Sequence, residues 1–277
     1  MKTLLAWSSG KDSAWTLHVL RQQGVRVSAL LTTVNEAADR VAMHGVRASL
    51  VAAQAESLEI PLWKIPLPWP CTNADYESRM AEACRRAVSE GYDTIAFGDL
   101  FLADIRQYRE RQLAGSGLAP LFPLWQRPTA SLAREMIAAG VRARLACVDT
   151  KALDASFAGR EFDLRLLADL PSGADPCGEN GEFHTFVYDG PMFRAPVEIE
   201  MGELGDIGGF VYRDLLAAAR PACDAGPTAP AEPNSITISG GGLFHRAWFP
   251  AFPAAQRAPW IPDVLPQSVC WQDWLSP

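Results

Sequence analysis

The chain has 277 residues, 48% hydrophobic and 21% charged, which suits a globular protein of one or two domains with a sizeable core. Its formal net charge of -7 excludes a broad phosphate-tracking surface, and with it non-specific nucleic-acid binding. No apolar run approaches the length of a membrane span, the four apolar residues before Ser8 are too few for a signal peptide, and the six cysteines form no CxxC pair or zinc-spaced cluster, so a cytoplasmic protein with reduced thiols is expected.

Residues 3–7, TLLAW, read as a buried strand, and residues 12–23 as a helix with Leu17 and Leu20 on one face and Gly24 as its stop. Residues 25–34 read as a second strand, 47–60 as a helix ending before Pro61, and 62–68 as a short strand. Residues 75–91 predict a strong helix with Met80, Ala83, Cys84, Ala87 and Val88 on one face, and 93–99 a strand. This alternation argues for an α/β fold, a parallel sheet covered by helices. Ligands of such sheets bind beyond the carboxyl ends of the strands. The turns at 8–13 and at Gly98-Asp99 both follow strands and are expected to line one crevice.

After residue 120 the pattern changes. A helix over 129–139 and a strand over 141–148 precede a dense polar cluster at 175–191. The expected organisation is a nucleotide-binding domain over 1–100, a smaller α+β substrate-binding region over 101–220 packed on it, and a tail over 221–277. The tail holds 10 of the 21 prolines and 4 of the 9 tryptophans, so irregular or disordered structure is expected there, with Gly240-Gly241-Gly242 as a linker.

The string Ser8-Ser9-Gly10-Lys11-Asp12-Ser13 sits at the first strand-to-helix turn. It is not a Walker loop, because Lys11 is followed by Asp12 and Leu5 stands where that loop needs glycine. Its physics is related: a tight turn, a helix start with free N–H donors and a positive dipole end, two hydroxyls and a lysine charge all favour phosphate. Asp12 has two readings, a Mg²⁺ ligand beside bound phosphates or an ordinary helix cap.

This string is similar to the SGGxDS pyrophosphate loop of the PP-loop ATPases, with Ser9 in place of the commonest glycine. A positive φ at Ser9 would therefore carry a cost. "FGDLFLADIRQYRE" (97–110) and "DPCGENGEFHTFVYDGP" (175–191) resemble signature segments of the diphthine–ammonia ligase family, and the likeness covers residues 1–215. It implies a Rossmann-like fold of the adenine nucleotide alpha hydrolase type, with ATP and Mg²⁺ as cofactors. It also implies an amide ligase that adenylates a carboxylate, transfers ammonia to it and releases AMP and pyrophosphate. The carboxylate in the named activity belongs to diphthine on an elongation factor; a homodimer is also compatible with the resemblance.

Within that frame, Ser8, Ser9, Gly10, Lys11, Asp12, Ser13, His44, Gly98 and Asp99 are expected at the nucleotide. Asp104, Arg106, Glu179, Asn180, Glu182, His184 and Thr185 are expected at the substrate. Two carboxylates of the second cluster suit an ammonium or a trimethylammonium head group, with Phe183, Phe186 and Tyr188 as candidate aromatic faces. Asp12, Glu182 and His184 are the candidate catalytic residues, His184 as proton acceptor when ammonia attacks. Arg106 and Arg109 are further candidates for neutralising phosphate charge. Bland readings stand beside these: a surface position for His44, a hydrogen-bonded loop for the cluster, a solvated pair for Asp104 and Arg106, and the solvated face of a helix for Arg109. A tRNA-modifying PP-loop enzyme and a non-catalytic ATP-binding regulatory module are the alternative functions.

Overall fold

The computed structural model describes residues 1–42 and 44–218. The expectation for the tail at 221–277 lies outside the described residues. The described chain begins with β1 (Thr3–Ala6), α1 (Lys11–Gln22), β2 (Val27–Asn35), the short β3 (Arg40–Val41), α2 (Ala48–Leu58) and β4 (Leu62–Leu67). It continues with α3 (Asn73–Ser89), β5 (Thr94–Ala96), α4 (Ala103–Leu113) and β6 (Ala119–Leu121). β1 pairs in parallel with β2 and β5, β2 with β4, and β5 with β6, while β3 pairs antiparallel with the end of β2. The expected parallel sheet flanked by helices is present. It runs on to β6, beyond residue 100.

The central strands are apolar because helices cover both faces: Leu4, Leu5, Leu30 and Ile95 are all fully buried. α3 begins with a reciprocal cap. Asp75 N donates to Thr72 Oγ1 at 3.2 Å, and Thr72 N donates to Asp75 Oδ2 at 3.0 Å. Its buried face is Tyr76, Ala83 and Ala87, with Met80 and Cys84 partly covered. Val88, expected on that face, is 40% exposed, one residue past the stripe that meets the sheet.

The remainder is α5 (Thr129–Ala138), β7 (Arg142–Asp149), α6 (Leu164–Asp169), β8 (Phe183–Asp189), β9 (Ile199–Ile207) and β10 (Phe210–Ala217). Its four strands form an antiparallel sheet in the order β8-β7-β10-β9. One continuous core joins the two sheets: Leu5, Trp15 and Leu17 share a cluster with Leu145, Phe183 and Phe186. Among the described residues no helix is long and apolar enough to cross a membrane.

The turn after β1 carries the strain foreseen for Ser9, whose φ is +73°. Its carbonyl accepts from Val187 N at 3.0 Å and from Gln54 Nε2 at 3.0 Å, while its buried Oγ has no hydrogen-bond partner. A side chain in this region costs about 1–2 kcal/mol, and an unsatisfied buried hydroxyl adds to that. Ser9→Gly is therefore expected to stabilise the chain by about 1 kcal/mol, after the entropy glycine adds to the unfolded state. A thermal melt of the variant at or below the wild-type midpoint would contradict this.

Candidate active site

The cavity lies beyond the carboxyl ends of β1, β2 and β5, roofed by the start of β8 and the loop before it. The sequence places the phosphate turn here because TLLA is committed to the buried sheet, and Gly10 then opens α1 with no side-chain cap of its own. The missing cap comes from the second sheet, since Lys11 N donates to Thr185 Oγ1 at 3.0 Å. Ser13 Oγ donates to Gly10 O at 2.9 Å and lies 3.3 Å from Ser8 Oγ, so the two hydroxyls stand together at the helix start. Gly98 packs against the first turn of α1; a Cβ there would stand 3.1 Å from the Asp12 carbonyl carbon. The two turns expected to share a crevice do share it.

Lys11 does not present an open charge. Its side chain is 2% exposed, its Nζ bonds to the Cys177 carbonyl and to Asp12 Oδ2 (2.9 Å), and it lies over the rings of Phe183 and Phe162 at 5.3 and 5.7 Å. Burial works against its charge, but Asp12 and the neighbouring groups outweigh it and raise its pKa. Burial lifts the Asp12 carboxyl above its ordinary range against the pull of Lys11. Asp12 Oδ1 is buried without a hydrogen-bond partner.

Glu179 faces the same cavity. Its Oε1 accepts from Leu100 N at 2.7 Å and Phe101 N at 3.3 Å, which fixes it across from the 98–101 turn. Burial, then the charge of Asp12, pushes its carboxyl up to about 8 despite these donors. A cation between two such carboxylates relieves both burial and mutual repulsion. Among the described residues no group of three or more His, Cys, Asp or Glu is arranged to hold a metal alone. Asp12 and Glu179 thus suit a hard cation that takes its remaining ligands from phosphates and water.

His44 and His184 meet in the lining of the same cavity, with ring centroids 4.5 Å apart. Burial pushes His44 down to about 4, and burial and then the charge of His44 push His184 well below its ordinary value. Both are neutral at neutral pH. His184 Nε2 and His44 Nδ1 are buried without partners, which leaves two nitrogens for a bound group.

Several expected residues stand elsewhere. Asn180 and Glu182 do not line the cavity. Glu182 is 5% exposed and its carboxylate organises the loop: Oε1 accepts from Asp175 N at 2.8 Å and Asn180 Nδ2 at 3.1 Å, and Oε2 from Asn180 N at 3.0 Å. Asp104 is exposed, and Arg106 pairs with Glu110 at 2.8 Å while its guanidinium lies 4.8 Å from the ring centroids of Phe122 and Trp125. Asp99 lines the cavity but is paired with buried Arg109, Nη2 to Oδ1 at 3.0 Å and Nε to Oδ2 at 2.7 Å. Phe186 is fully buried in the core, and Tyr188 donates to Glu161 Oε1 at 2.8 Å, so they form no open aromatic face. Ser9 is buried beneath the turn.

The geometry of Glu182 makes a prediction. Glu182→Gln replaces one acceptor oxygen with a donor that faces an N–H, and is expected to cost about 1–3 kcal/mol of stability. Catalysis should fall through disorder of the Glu179 loop. Unchanged urea unfolding with lost turnover would instead place Glu182 at the reacting atoms.

One further residue belongs to the site's construction and gave no sequence signal. Gln54, fully buried on α2, accepts from Trp7 Nε1 at 2.8 Å and donates to Ser9 O at 3.0 Å and Val187 O at 2.5 Å. It ties the phosphate turn to both sheets. A glutamine within an alanine-rich helix looks solvent-facing until the second sheet is placed.

The chain is similar in sequence to known proteins over most of its described length. Residues 1–119 match the diphthamide synthase N-terminal domain and residues 128–210 the diphthamide synthase C-terminal domain. A diphthine–ammonia ligase of Danio rerio is 29% identical over 219 residues, covering 71% of this chain and 85% of that protein. One of Bos taurus is 25% identical over 227 residues, covering 74% and 85%. One of Schizosaccharomyces pombe is 26% identical over 213 residues, covering 70% of this chain and 35% of that longer protein. The crystal structure of a predicted subunit of tRNA methyltransferase from Methanocaldococcus jannaschii covers 69% of this chain and 98% of that chain at a TM-score of 0.38 and 15% identity, too distant to bear on the site. With both of its domains matched in order, the chain belongs to the diphthamide synthase family, a family of ATP-dependent amide-forming ligases.

Proposed function

We propose that this chain activates a carboxylate with ATP and amidates it with ammonia. The carboxylate oxygen bonds to the α-phosphorus as the bond to pyrophosphate breaks. Ammonia nitrogen then bonds to the acyl carbon, AMP leaves with the carbon–oxygen bond pair, and a base takes the surplus proton. The observation that carries the reading is the phosphate turn itself, a helix start that bears paired hydroxyls and Asp12 and shares one cavity with the Glu179 carboxylate. Family membership supports the same chemistry. The relatives' names point to diphthine as the acceptor.

Ser8 would donate to a phosphate oxygen, Ser13 would do so by turning its hydroxyl from the Gly10 carbonyl, and the α1 dipole would offset the phosphate charge. Asp12 and Glu179 would hold Mg²⁺, which when bound would spread the negative charge of the phosphates. For the proton, His184 is a poor acceptor, since an imidazole pushed far below its ordinary value is a weak base. Glu179, once on the cation, would be ionised and too weak a base as well, so the proton passes to solvent. His44 and His184 serve as neutral hydrogen-bonding groups toward the nucleotide or the acyl group. Residues 1–100 would supply the nucleotide turn and residues 101–220 the facing wall, with β6 returned to the first sheet.

The test is AMP formation in the presence of ATP and Mg²⁺, varied in two factors: ammonium, and an acceptor carboxylate such as the diphthine-bearing elongation factor. The reading expects AMP in stoichiometric yield with amide when both are present. AMP formation indifferent to both would remove the ligase assignment.

A further inference from the structure

The loop that carries His44 is fastened from the opposite sheet. Its two stems are Arg40, in β3, and Arg47, the residue that opens α2, and these two face each other as bridge partners. Two arginines so placed repel, and one carboxylate answers both. Arg47 grips Asp214 of β10 with both arms, Nε to Oδ1 at 3.0 Å and Nη2 to Oδ2 at 2.6 Å. Arg40 Nη1 donates to Asp214 Oδ1 at 2.9 Å and also to the Gly45 carbonyl at 2.6 Å. The chain of contacts thus reaches the residue next to His44.

β10 is shaped for this grip. Its register with β9 shifts between Arg213 and Leu215, so Asp214 stands at an irregularity of the kind that re-aims a side chain. Gly202 of β9 leaves the room: a Cβ there would lie 3.1 Å from Asp214 Cβ. Tyr212, on the same strand, lays its ring on the loop where a side chain at Gly45 would be, 2.6 Å from the position of that Cβ. At the other end of the loop, His44 Cε1 lies 3.3 Å from where a Cβ on Gly10 would stand, directly on the phosphate turn.

We propose that Asp214 is a positioning residue: by clamping Arg40 and Arg47 it holds His44 on the phosphate turn, so that the C-terminal sheet sets the affinity of the nucleotide site. The part concerning affinity rests on the cavity being the ATP site; the clamp itself does not.

Two readouts on the full-length chain separate these. The first is modification of His44 by diethyl pyrocarbonate, followed by mass spectrometry without nucleotide. The second is the Kd for ATP with Mg²⁺ by calorimetry. Asp214→Asn is expected to raise His44 modification several-fold and to weaken ATP binding about tenfold, with Asp214→Glu recovering part of both. In a His44→Ala background, Asp214→Asn should weaken ATP binding no further, because the two act through one contact. Thermal melts confirm folding, and Arg47→Gln replaces Asp214→Asn where the latter does not fold. His44 equally protected in the folded variant, or equal losses of ATP affinity in both backgrounds, would overturn the proposal. Loss of His44 protection in a protein whose wild type binds no ATP would keep the clamp and remove the nucleotide reading.

Discussion

Asp99→Ala is expected to lower folding stability by about 3–5 kcal/mol, the cost of leaving a buried charge without its partner. Asp99 and Arg109 are 10% and 8% exposed, and in the cavity lining their side chains meet through one hydrogen bond and one further ion-pair contact. Arg109 also lies over the Phe97 ring at 4.2 Å, which holds its guanidinium in place beside Asp99. Removing Asp99 strands the guanidinium in that environment. Urea unfolding measures the loss directly, and a change below about 1 kcal/mol would show that water already screens the pair. The double replacement Asp99→Leu with Arg109→Met removes both charges and should recover most of the stability. It should not recover activity, since Asp99 also shapes the cavity wall.

Asp12→Asn is expected to reduce turnover by about 10²–10³-fold while leaving the fold in place. The amide keeps an acceptor for Lys11 Nζ, so the helix start and the Cys177 contact persist. What is lost is the negative charge beside the orphaned Oδ1, where a cation would sit. Glu179 should respond. Asp12 is the largest charge holding its pKa up, after burial, so that pKa should fall below its wild-type value of about 8 in the variant. The shifted group then supplies the counter-charge for Lys11 and limits the cost to stability. Titration of Glu179 by carboxyl-carbon NMR reports the shift. Turnover within a few-fold of wild type would remove Asp12 from the chemistry.

The first sheet was legible because its strands are continuous apolar runs and its helices carry clean stripes. β1, α1, β2, α2, β4 and α3 all lie where their patterns place them. α4 had no bounds in the sequence, and Arg109 reads as its solvated face, because its core face is Ile105, Arg109 and Leu113, a helical spacing with a buried arginine in the middle. Such a position reads as solvated until the partner carboxylate is known. β9 was missed for a similar reason. It is largely exposed and carries Glu200, Glu203 and Asp206, so no buried alternation marks it. The phosphate turn was legible as chemistry, but the inward pairing of Lys11 was not, since its partner Cys177 is 166 residues away. Composition placed two glutamates in one glycine-flanked cluster and could not tell them apart. Glu179 faces the cavity while Glu182 holds the loop, a difference set by which backbone N–H groups each carboxylate meets.

The most direct measurement is the identity of the products from ATP and Mg²⁺ with ammonium and an acceptor carboxylate, for the wild type and Asp12→Asn side by side. AMP with pyrophosphate from the wild type, reduced about 10²–10³-fold in the variant, is the predicted result. ADP with phosphate would contradict cleavage between the α- and β-phosphates at this turn, and with it the proposed carboxylate activation.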